Sequence, residues 1–437
     1  MSMDRTAAPA GVANDDARSH MMPQQSDDAG KGVRVEPQPP GALSWSVTLL
    51  FAAASGLAVA NVYFAHPLLD IMADDLGLSR ASVGMIVALT QIGYGAGLIL
   101  LVPLGDLVDR RRLVVGQSLL SVLALVAVGF STSDVMLLAS MVATGLLAVA
   151  TQTFVAYAAS LALPSERGQV VGVVTSGIVL GILLARTVAG TLADLAGWRA
   201  VYLVSAVLTL FMTVLLWKLL PRQRTSGPKS TYLHLITSLF TLVLQEPVLR
   251  IRGVIAMLIF ANVTMLLTPL VLPLSAPPFS LSHTQVGLFG LAGAAGALGA
   301  SRAGVWVDRG LGQRTTGIAL MLMLIAWLPI ALLPQSIGWL IVGVILIDFG
   351  LQAVHVTNQG MIYRVRPEAQ SRLTAGYMVF YSLGSAVGSS ASTMVYAHAG
   401  WSGVCLAGAG ISLLTLVFWA ITSPMTPTVA TRPIRKP

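Results

Sequence analysis

Gly105-Asp106-Leu107-Val108-Asp109-Arg110 and Gly304-Val305-Trp306-Val307-Asp308-Arg309 are two versions of one charged turn, each lying beside long apolar runs. A second pair of landmarks keeps stricter register. Pro164 leads to Gly197-Trp198 and Pro367 leads to Gly400-Trp401, with 34 residues from Pro to Trp in both copies and an offset of 203 between them. A charged turn that recurs at matching places among apolar runs marks a membrane unit duplicated within one chain.

Composition agrees. Charged residues are 10% of the chain, apolar residues 55%, and the mean hydropathy is +0.79. Soluble domains carry roughly 25% charged residues, so most of this chain belongs in lipid. A span needs about 20 apolar residues, and 437 residues accommodate twelve spans with loops and tails. The lone cysteine, Cys405, excludes an intramolecular disulfide. The formal charge of +8 first suggests nucleic acid. No basic cluster interleaves with exposed aromatics, however, so nucleic-acid binding is not expected.

Residues 1–43 are polar and aperiodic, which predicts a disordered tail rather than a signal peptide. Twelve apolar runs follow, near 44–68, 81–104, 113–131, 134–161, 170–193, 198–220, 250–274, 284–306, 315–334, 337–362, 371–396 and 400–422. The expected organisation is a six-helix half over 44–220, a linker over 221–249, a second half over 250–422 and a tail over 423–437. With the N-terminus inside, the inner loops receive Arg110, Arg111, Arg112, Arg167, Arg222, Arg224, Lys229, Arg250, Arg252, Arg309, Arg314, Arg364, Arg366 and Arg372. The outer loops receive only Arg80 and Arg199. That asymmetry places both termini in the cytoplasm. Glycine-rich spans, such as Gly287 to Gly299, predict close helix packing.

At these residues the chain resembles the major facilitator superfamily, and within it the bacterial twelve-span drug:proton antiporters. The resemblance covers 44–422 and rests on Gly105, Leu107, Asp109 and Arg110 after the second run, with the weaker copy Gly304, Asp308 and Arg309 after the eighth. It implies an all-α membrane fold of twelve helices in two pseudo-symmetric halves. It also implies that the charged turns latch the halves in one state and release them in another. Two departures stand out. Met141 occupies the fourth-span place where the family usually has Arg, and Leu184-Ala185-Arg186-Thr187 follows Gly177 and Gly181 where the antiporters have Pro-x-x-Gly.

Ionisable and amide groups within the runs are the candidate functional residues, because each is costly in lipid. Asp348, Gln352, His355 and Gln359 follow steps of four, three and four, one stripe on a helix, with Asn358 beside it. Such a stripe faces a cavity or another helix. A buried carboxylate and an imidazole can carry a proton. Arg186 can grip a carboxylate or phosphate through two parallel bonds. By the repeat offset it aligns with Ser389, while Asp348 and His355 align with Gly145 and Gln152. Milder candidates are Asn61, Gln91, Gln152, Tyr377 and Tyr381.

No Walker loop or nucleophile elbow is present, and no enzyme, cofactor or metal is expected. The reading is a monomeric secondary transporter of a bacterial inner membrane, with lipid, protons and a small molecule as its partners. Proton-coupled efflux of a small organic compound is the first expectation. Uptake or exchange of a small anionic or zwitterionic metabolite is the second, and a non-transporting membrane sensor the third.

Overall fold

The computed structural model describes residues 43–163, 165–221, 231–366 and 370–425. Pro164 and Pro367 of the repeat register, and most of both expected tails, lie outside the described residues. Helices and short turns make up what is described. This is the required outcome in lipid, where every backbone N–H and C=O must find its partner within the segment.

Ten helical stretches are long and apolar enough to cross a membrane. Spans one to six are Trp45–Leu76, Gly84–Gly105, Arg110–Gly129, Asp134–Leu161, Arg167–Ala196 and Trp198–Leu219. Span seven is Pro247–Ser275, span nine Gly312–Ala331 and span ten Ile337–Tyr363. The tenth stretch, Gln370–Met425, holds two passes. It turns at Gly400, with φ 60° and ψ −159°. Beyond the turn the chain runs back along span nine, since Trp401 bonds the Ile330 carbonyl and Trp419 bonds Gln313. Between spans seven and nine, three pieces in series (His283–Leu288, Phe289–Ala292 and Gly293–Asp308) carry span eight, with His283 outside it, ahead of the apolar run. The described elements thus accommodate the expected twelve.

Gly197 adopts φ 80° between spans five and six, at the place in the first copy that Gly400 holds in the second. Positive φ is strained for residues with a Cβ, so both turns need glycine. The paired Trp residues act alike: Trp198 donates to Asp75 Oδ2 at 3.2 Å and Trp401 to the Ile330 carbonyl at 3.0 Å.

Close approach holds the spans together. A methyl group on Gly145 would fall 1.9 Å from the Thr90 carbonyl oxygen, which locks span four on span two. Gly384 meets the Met257 carbonyl at the same 1.9 Å, joining spans eleven and seven. Gly177 and Gly181 meet the backbone of Ala52 and Gly56 on span one, so these two antiporter-like glycines serve packing. Because lipid gives no hydrophobic drive between helices, van der Waals contact at such crossings carries the association. Val207, Phe211, Leu406 and Leu414 are exposed on spans six and twelve, as a lipid-facing surface should be.

The linker over 221–249 contains a helix, Tyr232–Gln245. Its Leu239 and Val243 pack on Gly376 of span eleven, while the Tyr232 hydroxyl donates to the Leu100 carbonyl at 2.8 Å. Arg252 is not a loop anchor: it is fully buried within span seven and donates to Thr316 and Asn358. Span one runs past its apolar core through the turn at His66–Leu68 to Leu76.

The crossing at Gly145 yields a direct test. Gly145→Val should displace span two and cost about 1–3 kcal/mol of stability. Gly116→Val, where no atom lies within 4 Å of a new Cβ, should leave the unfolding temperature in detergent nearly unchanged.

Candidate functional site

The first copy of the charged turn closes on its own neighbours. Asp109 caps the third span by accepting the Arg112 backbone N–H at 2.9 Å. Arg110 donates to the Gly105 and Ala156 carbonyls, and Arg111 to that of Trp217. All of these partners belong to the first six spans. In the second copy Gly304 is half-buried, Arg309 is exposed, and Arg364 donates to the Val307 carbonyl at 2.9 Å. The Asp308 side chain lies outside the described residues. Among the described residues, neither turn bonds the other set of six spans.

Opposite charges meet in the middle of the bundle. Arg186 of span five and Asp348 of span ten interact through space without a direct ion pair. Span eight passes close to both, with glycine at the points of contact. Gly290 lies against the Arg186 side chain, while a Cβ on Gly293 would stand 3.7 Å from Asp348 Oδ2 and 2.9 Å from Leu183. The Arg186 guanidinium carbon sits 5.9 Å from the Tyr63 ring centre, and its Nε is buried with no hydrogen-bond partner. A half-buried guanidinium with a buried, unused donor is costly in lipid, so the position is chemically loaded.

Aromatic side chains bridge the same region. The Tyr63 and Tyr381 hydroxyls lie 2.9 Å apart and join spans one and eleven. Phe260 of span seven meets the Tyr381 ring edge-on at 4.1 Å and the His355 ring at 5.4 Å. Tyr94 lies 6.2 Å from the Tyr381 ring centre and faces Gln152, while Gln91 faces Tyr381. The Gln91 Oε1 is buried without a partner. His66 stacks on Tyr63, with centroids 5.8 Å apart, and accompanies it beside Arg186.

The span-ten stripe divides between two neighbourhoods. Asp348 belongs with Arg186, and half-buried Gln352 packs on Gly296 of span eight. His355 Nδ1 lies 3.0 Å from the Tyr377 hydroxyl. Tyr377 also accepts from Asn358, whose side chain meets Arg252. Seven residues separate Asp348 from His355, about 10 Å along a helix. The two share the expected stripe but engage different neighbours. Gln359 is half-buried one turn beyond His355. Asn61 also departs from the cluster: it accepts from Ser205 at 2.6 Å and lines a separate cavity between spans one, three, four and six.

Sequence reading missed Tyr63, Phe260 and Arg252 as members. Tyr63 carried a faint signal, standing three residues before His66 on one helical face. Phe260 and Arg252 carried none, because an apolar residue in an apolar run and an arginine at its edge look ordinary.

The Tyr377 hydroxyl is shared by His355 and Asn358. Tyr377→Phe should lower stability by about 1–3 kcal/mol through the buried groups it strands. Tryptophan-monitored unfolding in detergent would show the loss, and His355→Phe on the same background should recover part of it.

Comparison with known proteins places this architecture. The Major Facilitator Superfamily profile matches residues 49–309 and 252–437. The uncharacterized transporter YgaY of Escherichia coli O157:H7 is 47% identical over 86% of this chain and 95% of its own. The probable transporter SCO4007 of Streptomyces coelicolor is 31% identical, with 89% of each chain covered. Among solved structures, an inward-facing, occupied bacterial homolog of the human lysosomal transporter Spinster superposes with TM-score 0.70. It covers 87% of this chain and 96% of that one at 13% identity, a likeness of fold alone. The chain is a multi-pass membrane transporter, not an enzyme, and belongs to the Major Facilitator Superfamily.

Proposed function

We propose that this transporter works by alternating access, with residues 44–220 and 250–422 rocking about a central site, and that proton influx drives efflux of a small organic compound. The carrying observation is the facing of Arg186 and Asp348, from different sets of six spans, without a direct pair. While Asp348 is ionised it is the counter-charge of Arg186 and favours the halves together beside span eight. A proton on Asp348 removes that attraction and leaves Arg186 to an anionic group or to solvent, which favours the other arrangement. Tyr63, Tyr381 and Phe260 provide the apolar and hydroxyl contacts for a small organic molecule at the same place. His355, through Tyr377, stands toward the face of the charged turns and serves as a later station for the proton.

A second reading rests on one atom. The unpartnered Nε of Arg186 suits a carboxylate, so a small anionic or zwitterionic metabolite is the alternative cargo. The excess of Lys and Arg near the charged turns supports a cytoplasmic location for that face and both termini in a bacterial inner membrane. The transporter functions as a monomer in this reading. Within it, the charged turns serve as latches in the arrangement opposite to the one described.

Liposomes holding a pH dye separate the readings. Wild type should acidify the lumen when substrate is exchanged, and Asp348→Asn should abolish that signal while still binding substrate. Full proton-coupled flux in Asp348→Asn defeats the proposed carrier. Flux without any pH change, together with loss of anion binding in Arg186→Lys, supports the second reading.

A further inference from the structure

At the end of the bundle away from the charged turns, His283 stands just ahead of the apolar run 284–306 and touches both sets of six spans. Its Nε2 lies 3.2 and 3.3 Å from the two Asp70 carboxylate oxygens. Its Nδ1 lies 2.9 Å from Asp194 Oδ1. Asp70 belongs to the extension of span one, and Asp194 to the last turn of span five. The Asp194 carboxylate also accepts the backbone N–H groups of His283 and Thr284, at 3.2 and 2.8 Å, and the Thr284 hydroxyl at 2.6 Å. An acid from the first six spans thus caps a helix of the last six. Gly190 brings the two backbones together, since a Cβ there would lie 2.1 Å from the His283 carbonyl.

We propose that Asp70, His283 and Asp194 form a clasp that holds this mouth shut and that releases it when the imidazole loses its proton. The charged groups that face the imidazole are Asp70 and Asp194; Asp75, nearby on the same surface, is engaged by Arg199. With both ring nitrogens against carboxylate oxygens, the geometry calls for the doubly protonated cation. The Asp70 hydrogen bond, helped by the charges of both acids and opposed by burial, raises the imidazole from 6.5 to about 9. The sign follows. The cation's contribution to closure is complete below the ordinary histidine value and is lost as pH rises through about 9.

The inference rests on the alternating-access reading but not on proton carriage by Asp348. Its test uses the full chain in lipid nanodiscs, with Cys405→Ala and spin labels on Asp74→Cys and Gln335→Cys at this mouth. A second preparation carries labels on Ser165→Cys and Gln370→Cys at the opposite face. Wild type should give a short far-mouth distance at pH 7 and a longer one at pH 10. His283→Gln should raise the open-to-closed ratio at pH 7 by about tenfold, the size of one lost charge-assisted hydrogen bond. His283→Lys, charged up to about pH 10, should remain closed at pH 9.5, where wild type has begun to open. If His283→Gln does not fold, Asp70→Asn leaves the Asp194 cap in place and should open the mouth in the same direction. Far-mouth distances indifferent to both pH and these substitutions, while the opposite pair still moves, overturn the clasp alone. If neither pair moves under any condition, alternating access fails with it.

Discussion

Between these helices there is no water to expel, so contact and internal bonding must do what burial does in a soluble core. Every other feature follows from that constraint. Glycine carbonyl crossings at Gly145, Gly177 and Gly384 bring backbones to van der Waals distance. Hydroxyls turn back on their own helices, as Thr90 does to Ile86 and Thr144 to Ser140. Side chains with a charge are then few and conspicuous. Most sit where spans from both sets converge or at the two faces of the bundle, while Arg252 is buried among spans seven, nine and ten.

The charges also divide by task. Near the charged turns, Arg110, Arg111 and Arg364 tie loops to carbonyls of their own set of spans. In the centre, Arg186 and Asp348 face each other unpaired. At the far mouth, Asp70, His283 and Asp194 are bonded across the sets. The described arrangement therefore has its charged cross-links at the far mouth, and in the centre a hydroxyl bridge from Tyr63 to Tyr381 beside two charges that do not pair. The Tyr232 helix adds a strap at the other face, reaching from Gly376 to the Leu100 carbonyl.

The duplicated turn and the Pro-to-Trp spacing made the fold legible, because both are set by local backbone needs repeated in sequence. Gly197 and Gly400 were readable for the same reason. The stripe on span ten was readable as a stripe, since helical period alone assigns it a face. What it touches was not. Asp348 reaches toward Arg186, 162 positions away in sequence, beside a third helix whose glycines carry no chemical signal of their own. His355 meets Tyr377, and Asn358 meets Arg252, through crossings that no local pattern encodes. The helix in the linker was missed because its uncharged face packs on span eleven, leaving an apolar stretch too short to read as a span.

Span eight passes close to both central charges with glycine at the points of contact, and each added methyl group there narrows the space beside a charge. Exchange of Gly290 for alanine encroaches on the arginine side, and exchange of Gly293 on the side shared by Leu183 and Asp348. If the proposed central site holds the cargo, single-carbon changes at these two glycines would alter the size and shape it admits while leaving both charges in place.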